Sequence, residues 1–176
     1  MSDEAQRVAT AYHEAGHTVM GCILGRYPQS VDIIRDAHGN AGHTCFVSDY
    51  PACMKRWFDE SQEKRRYLRK RVLIDLAGTV AHDLQSKDRP QDSGDLQDYQ
   101  CAKRTVEESM SWDNDYDGYL ARLKIEAREY ILKYWAAVEA IASALLRNNT
   151  LSRTEIIALF DKSSSLITTS PAARKH

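Results

Sequence analysis

Apolar residues recur at helical spacing near the start of the chain, over residues 3–25. At about 100° per residue they fall on one broad stripe, which consists of Val8, Tyr12, Gly16, Val19, Met20, Ile23 and Leu24. Gly25, followed by Pro28, is typical of a helix end. The pattern predicts an amphipathic helix with one buried face.

Two short runs after this helix have the composition of β-strands. Residues 30–35 and 43–48 flank a loop at residues 37–42, whose glycines and asparagine tolerate positive φ. Tyr50-Pro51 ends the second run. The two runs predict a β-hairpin.

The remaining apolar periodicity is helical. It predicts one helix over residues 61–85, a second that begins near Asp95, a third over 119–147 after an acidic loop at 111–118, and a last one from Ser152. Glu155, three residues after Ser152, completes a capping-box signature. These segments predict a mainly α fold with a small β element. We expect one domain over residues 1–162 and a polar, disordered tail over residues 163–176.

Composition and charge exclude several classes of protein. Of the 176 residues, 43% are hydrophobic and 28% are charged, as in globular proteins. The net charge of -1 gives no basic excess for nucleic acid. No run approaches the ~20 apolar residues that span a bilayer. The first residues also lack the basic and apolar regions of a secretory signal.

The cysteines predict the compartment rather than a site. All four lie far apart with no Cys-x-x-Cys pair, so we expect reduced thiols and a cytoplasmic protein. A separate metal arrangement of His38, His43, Cys45 and Cys53 matches no zinc-ribbon spacing. This arrangement is therefore a weaker alternative.

His13-Glu14-Ala15-Gly16-His17 lies in the first predicted helix and is the His-Glu-x-x-His signature of zinc peptidases. Residues i and i+4 of a helix stack on one face, so both imidazoles can reach one ion. Glu14 lies about 100° around the helix from His13 and roughly 60° from His17, within reach of a water at the open coordination position. We predict that His13 and His17 bind Zn²⁺ and that Glu14 is the catalytic general base. The alternative is two surface histidines beside an unrelated glutamate.

Catalytic zinc usually has three protein ligands and one water, so another ligand must come from elsewhere in the chain. No histidine stands where metzincins place their third ligand after His17. Among the acidic residues, Asp95 follows Ser93-Gly94 and begins a predicted helix. Spacing alone leaves two roles open for Asp95, a metal ligand and a helix cap.

The segment Val8-Ala9-Thr10-Ala11-Tyr12-His13-Glu14-Ala15-Gly16-His17-Thr18-Val19-Met20-Gly21 resembles the opening of the protease domain of FtsH-type AAA metalloproteases. The resemblance continues in the family's order over nearly the whole chain, through Val31-Asp32-Ile33-Ile34-Arg35, Gly42-His43-Thr44, Leu76-Ala77-Gly78-Thr79-Val80-Ala81, Ser93-Gly94-Asp95-Leu96, Ala144-Leu145-Leu146, Thr150-Leu151 and Glu155-Ile156. It implies a helical, zincin-like endopeptidase domain. In that family two histidines and an aspartate bind zinc and the motif glutamate is the base, so these roles fall on His13, His17, Asp95 and Glu14. The implied substrate is a peptide or an unfolded protein.

The sequence also departs from the family pattern. It lacks the family's ATPase module and membrane anchor, so we expect hydrolysis without ATP. His82-Asp83 replaces two glutamates, and we interpret His82 as a core histidine or an outer partner of the metal site rather than a ligand. Two alternatives stay open. One is a catalytic subunit that needs a separate ATPase or a homo-oligomeric ring, and the other is a weakly active or inactive metal-binding descendant that serves as a protein-interaction module.

Overall fold

The computed structural model describes residues 3–35, 41–46, 62–86, 93–109 and 115–168. The elements in these ranges are α1 (Asp3–Ile23), β1 (Ser30–Arg35), β2 (Ala41–Cys45), α2 (Gln62–Gln85), α3 (Ser93–Ser109), α4 (Tyr116–Lys133), α5 (Trp135–Asn148), β3 (Thr150–Ser152) and α6 (Arg153–Thr168). The predicted mainly α fold with a small β element is confirmed. None of the helices in these ranges combines the length and the hydropathy needed to cross a bilayer.

Small residues let α1 and α2 pack at close range. Gly16 lies against the backbone carbonyl of Ala77, and a Cβ added at Gly16 would also lie 2.7 Å from the Cβ of Ala81. The core extends from this contact towards α5 and contains fully buried side chains such as Val19, Met20, Leu73, Leu76, Ile141 and Leu145. Because the two helix backbones approach so closely, side chains on the flank of α1 lie directly over α2.

The three strands form an antiparallel sheet in the order β2-β1-β3. Val31 of β1 pairs with Thr44 of β2 on one side and with Leu151 of β3 on the other. The predicted hairpin is confirmed, although β2 ends at Cys45 instead of residue 48, and residues 47–48 lie outside the described ranges. β3 was not predicted, because three residues are too few to show an alternating pattern.

The predicted helix over residues 119–147 is wrong in two respects. It is two helices, α4 and α5, which meet at Tyr134, and α4 begins at Tyr116 because Asp115 caps it through a hydrogen bond from the Gly118 amide (3.0 Å). Backbone hydrogen bonds continue across the bend, from the Tyr134 amide to the Tyr130 carbonyl (3.0 Å). The apolar periodicity therefore runs on without a signal of the bend.

Helix ends differ from their predicted positions elsewhere as well. α3 begins at Ser93, so Asp95 lies in its first turn rather than before it. α6 begins with the predicted capping box, since Glu155 accepts hydrogen bonds from the amide (2.8 Å) and the hydroxyl (2.6 Å) of Ser152. α6 continues to Thr168, beyond the expected start of the tail at residue 163, and Ser163 is buried there. Residues 169–176 lie outside the described ranges.

Candidate metal centre

His13 and His17 lie one turn apart on the buried flank of α1, as the motif predicts. Both are almost fully buried, with 9% and 8% of their surface exposed. Their rings meet edge to face, with centroids 4.7 Å apart, and the two Nε2 atoms are 3.0 Å apart. The two imidazoles thus present lone-pair positions to the same point.

Gly78 of α2 forms the wall beneath this point. A Cβ built on Gly78 would overlap Nε2 of His17 and would lie 2.8 Å from Nε2 of His13. Any side chain at position 78 would therefore fill the space into which both imidazoles point. The glycine that interrupts the apolar pattern of α2 has a local reason, which is room for the imidazoles.

Asp98 of α3 is the acidic residue that reaches both imidazoles. Its Oδ2 lies 2.8 Å from Nε2 of His13 and 3.0 Å from Nε2 of His17. The three atoms form a triangle with sides of 2.8, 3.0 and 3.0 Å. Three ligands with bonds of about 2.0 Å to a tetrahedral zinc would be ~3.3 Å apart, so a small expansion of the triangle accommodates the ion.

The other ring nitrogen of each imidazole faces an oxygen, which is a hydrogen-bond acceptor for His17 and a carboxylate at ion-pair distance for His13. Nδ1 of His17 is 2.7 Å from the Ile74 carbonyl oxygen, a pure acceptor, so Nδ1 carries the proton and donates it. Nδ1 of His13 lies 3.3 Å from Oδ1 of Asp95. With a proton on each Nδ1, both Nε2 atoms are left as lone-pair donors. The donor set fits a zinc site.

The structure does not bring Asp95 to the point shared by His13 and His17. Asp95 is buried, and its carboxylate lies between His13 and His82, with Oδ2 3.0 Å from Nδ1 of His82. The position expected for the third ligand is occupied by Asp98, one helical turn further along α3. The predicted ligand set of His13, His17 and Asp95 stays a prediction, and the atoms that converge most closely are those of His13, His17 and Asp98. Asp95 and Asp98 are spaced i and i+3 on one face of α3, and Asp98 was not considered in the sequence analysis.

Glu14 lies beside the imidazoles and contacts β2. It is 5% exposed, and its Oε2 accepts a hydrogen bond of 2.6 Å from the hydroxyl of Thr44. A Cβ at Gly42 would lie 2.8 Å from Cγ and Oε1 of Glu14, so β2 passes directly over this carboxylate. Glu14 takes no part in the triangle of ligand atoms, as expected for a base rather than a ligand.

Charges in the centre favour a cation at the shared point. Burial lowers the pKa of His13, but the carboxylates of Asp95 and Asp98 outweigh burial and raise this pKa to about 10. For His17, burial is again outweighed, chiefly by the charge of Asp98, and the pKa is raised. Burial raises the pKa of Asp98, but the two imidazoles outweigh it and hold this pKa well below its usual range.

Two groups of metal-ligating side chains occur in the described ranges. One is His13, His17 and Asp98, and the other is His13, His82 and Asp95. His43 and Cys45, from the alternative arrangement, lie on β2 but belong to neither group, whereas His38 and Cys53 lie outside the described ranges. The burial of His82 agrees with its interpretation as a core histidine or an outer partner of the site.

Comparison of the chain with protein-family models and with curated proteins finds no match.

Proposed function

We propose that this protein is a zinc-dependent peptidase that hydrolyses peptide bonds without ATP. One observation carries the proposal, namely the convergence of His13 Nε2, His17 Nε2 and Asp98 Oδ2 within 3.0 Å of one another, with Glu14 beside them. Zinc bound at this point supplies a Lewis acid that polarises the scissile carbonyl and lowers the pKa of a bound water to about 7.

Each residue of the centre has a separate task in this proposal. His13, His17 and Asp98 hold the ion and leave its fourth position open. Glu14 accepts a proton from the attacking water and passes it to the leaving amine. Thr44 holds Oε2 of Glu14, which keeps the carboxylate oriented. The second carboxylate oxygen, Oε1, is the one left to work with water.

The position of β2 supports an extended peptide as the substrate. β2 is one of the two edge strands of the sheet in the described ranges, and it carries the Thr44 hydroxyl that contacts Glu14. A peptide that pairs with the outer edge of β2 would pass Glu14 and the ligand triangle with its backbone extended. Short peptides or unfolded proteins are therefore the proposed substrates.

The cellular setting is part of the same proposal. Cys22, Cys45 and Cys101 are free thiols in the described ranges, which supports a reducing compartment such as the cytoplasm. Assembly into a homo-oligomer or with a separate ATPase would serve folded substrates.

The decisive experiment combines zinc content with hydrolysis of unfolded casein and of unstructured peptides, with and without a chelator. We expect about one zinc per chain and chelator-sensitive hydrolysis. Glu14→Gln should keep the zinc and lower kcat by about 10²–10⁴-fold, because the base is lost and no ligand is.

The matched control is Glu4→Gln, an exposed glutamate on the same helix, which should keep both zinc and activity. Wild-type protein that holds zinc but cleaves neither substrate would contradict the peptidase proposal and favour a metal-binding interaction module. Iron in place of zinc would point instead to the oxidative chemistry of two-histidine, one-carboxylate sites.

A further inference from the structure

Two carboxylates of α3 lie close to the two ring nitrogens of His13. Asp98 Oδ2 lies 2.8 Å from Nε2 of His13, and Asp95 Oδ1 lies 3.3 Å from Nδ1 of the same ring. The spacing of i and i+3 places both carboxylates on one face of α3. The beginning of α3 therefore contacts the His13 ring on both sides. Asp98 faces the nitrogen that points to the proposed metal, and Asp95 faces the other nitrogen.

Asp95 is itself held by α2. Its Oδ2 lies 3.0 Å from Nδ1 of His82, and both side chains are almost inaccessible, with 1% and 4% exposure. The His82 and His13 rings meet edge to face, with centroids 6.4 Å apart. The Asp95 carboxylate thus lies buried between two imidazoles, with Oδ2 in hydrogen-bond contact with His82 and Oδ1 at ion-pair distance from His13.

The two metal-binding histidines are thus oriented by different means. Nδ1 of His17 donates to a backbone carbonyl of α2, that of Ile74. Nδ1 of His13 faces a side chain of α3, Asp95, which depends in turn on His82 of α2. Partners of this kind fix the tautomer and the ring orientation of a metal ligand, and they increase its basicity.

We propose that Asp95 and His82 are positioning residues that hold His13 for metal binding without binding the ion themselves. The proposal rests on the zinc site of the proposed function. It predicts that removal of the Asp95 carboxylate weakens zinc binding while the three ligands stay in place. The same ring could not serve a second ion through Nδ1 without the loss of both of its ring protons.

The test compares Asp95→Ala and Asp95→Asn with the wild type by competition against a chromophoric chelator, and it includes the visible spectrum of the Co²⁺-substituted proteins. Asp95→Ala should weaken zinc binding by about 10–100-fold. Asp95→Asn should restore part of the loss, because its amide oxygen can still accept from Nδ1 of His13. The intense four-coordinate Co²⁺ spectrum should persist in both variants, since the ligand set does not change.

The matched control is Asp83→Asn, an exposed acidic residue next to His82 whose carboxylate contacts Lys124 at 3.3 Å, and its zinc affinity should equal that of the wild type. Melting of the metal-free variants separates unfolding from a local effect, and Asp95→Asn keeps the packing if Asp95→Ala does not fold.

Three results would overturn the proposal. The first is unchanged zinc affinity in both Asp95 variants. The second is loss of the four-coordinate Co²⁺ spectrum, which would make Asp95 a ligand. The third is a stoichiometry of two zinc ions, one of them lost in His82→Gln, which would make His13, His82 and Asp95 a metal site of their own. Affinity and spectrum need no peptide hydrolysis, so failure here is distinguishable from failure of the peptidase proposal.

Discussion

The metal centre has two halves that arise from the sequence in different ways. The α1 half consists of His13, Glu14 and His17, whose relative positions follow from the geometry of one helix. The α3 half consists of Asp95 and Asp98, which reach the centre only because α3 packs beside α2. A motif of five residues therefore fixes one half, whereas the other depends on tertiary structure.

The comparison teaches where a motif stops being informative. Local spacing predicted the relative positions of His13, Glu14 and His17, because i and i+4 face the same way in any α-helix. It could not determine which turn of α3 lies level with the imidazoles. Which turn lies there depends on the position of α3 along α2. A shift of α3 by one turn would place Asp95 instead of Asp98 beside the imidazoles.

The largest effect should come from the α3 half, through Asp98→Asn. This change removes a ligand and a negative charge from the shared point, so zinc affinity should fall by about 100-fold or more, beyond the loss expected for an outer partner. Chelator competition measures it. Glu107→Gln, an exposed acid on the same helix, is the control and should leave the affinity unchanged. If Asp98→Asn bound zinc as tightly as the wild type, Asp98 would not be a ligand of the proposed site.

A smaller effect is expected from Gly78→Ala, which changes the surface of α2 beneath the two imidazoles. The added methyl group overlaps Nε2 of His17, so the ring must shift and zinc affinity should fall by about 10-fold. Gly25→Ala is an instructive control, since its φ of +75° costs stability but nothing lies within 4 Å of the new methyl group. It should lower Tm and leave zinc affinity intact. Equal zinc affinity for Gly78→Ala and the wild type would show that the imidazoles do not need this space.

The smallest effect is the pH dependence of the attraction between the halves in metal-free protein. The folded-state pKa of His13, about 10, exceeds its ordinary 6.5. The contribution of this attraction to the free energy of unfolding is therefore complete below pH 6.5 and is lost as pH rises towards 10. The pKa of Asp98 is lowered from 3.8, so its contribution is present above that pH and is lost in acid.

Thermal melting in a chelator should show this dependence directly. Between pH 6.5 and 9.5 the Tm should fall by about 2–8 °C, which corresponds to 1–2 kcal/mol at this chain length. Asp98→Asn should flatten the dependence, because one of the two carboxylates that raise the pKa of His13 is gone. A wild-type Tm that rises over this range would contradict the assigned attraction.

The sequence predicted the helical class well and its details unevenly. The stripe on α1, the glycine that follows its end and the capping box at Ser152 are local features, and the structure has all three, with α1 ending at Ile23 and Gly25 at a positive φ. The bend at Tyr134 left no signal, since buried residues such as Ile131 and Val138 continue the same period on both sides of it. β3 was too short to detect.

For the site, the sequence identified the residues of the α1 motif but not the contacts between helices. His82 was interpreted as a core histidine or an outer partner, and the structure pairs it with Asp95, which the resemblance had assigned to the metal. Gly78 received no role of its own from the sequence, although its missing side chain makes room for both imidazoles. Such roles depend on contacts between helices, which a single sequence does not encode in any short pattern.

The bond from His17 to the Ile74 carbonyl has a consequence for how the site withstands mutation. Every amino acid carries that oxygen, so no single replacement at position 74 can delete the acceptor. The hold on His13, in contrast, disappears when one codon for Asp95 or His82 changes. Random substitutions should therefore disturb the orientation of His13 more often than that of His17. Among natural or engineered variants, the orientation of His17 should be the better preserved.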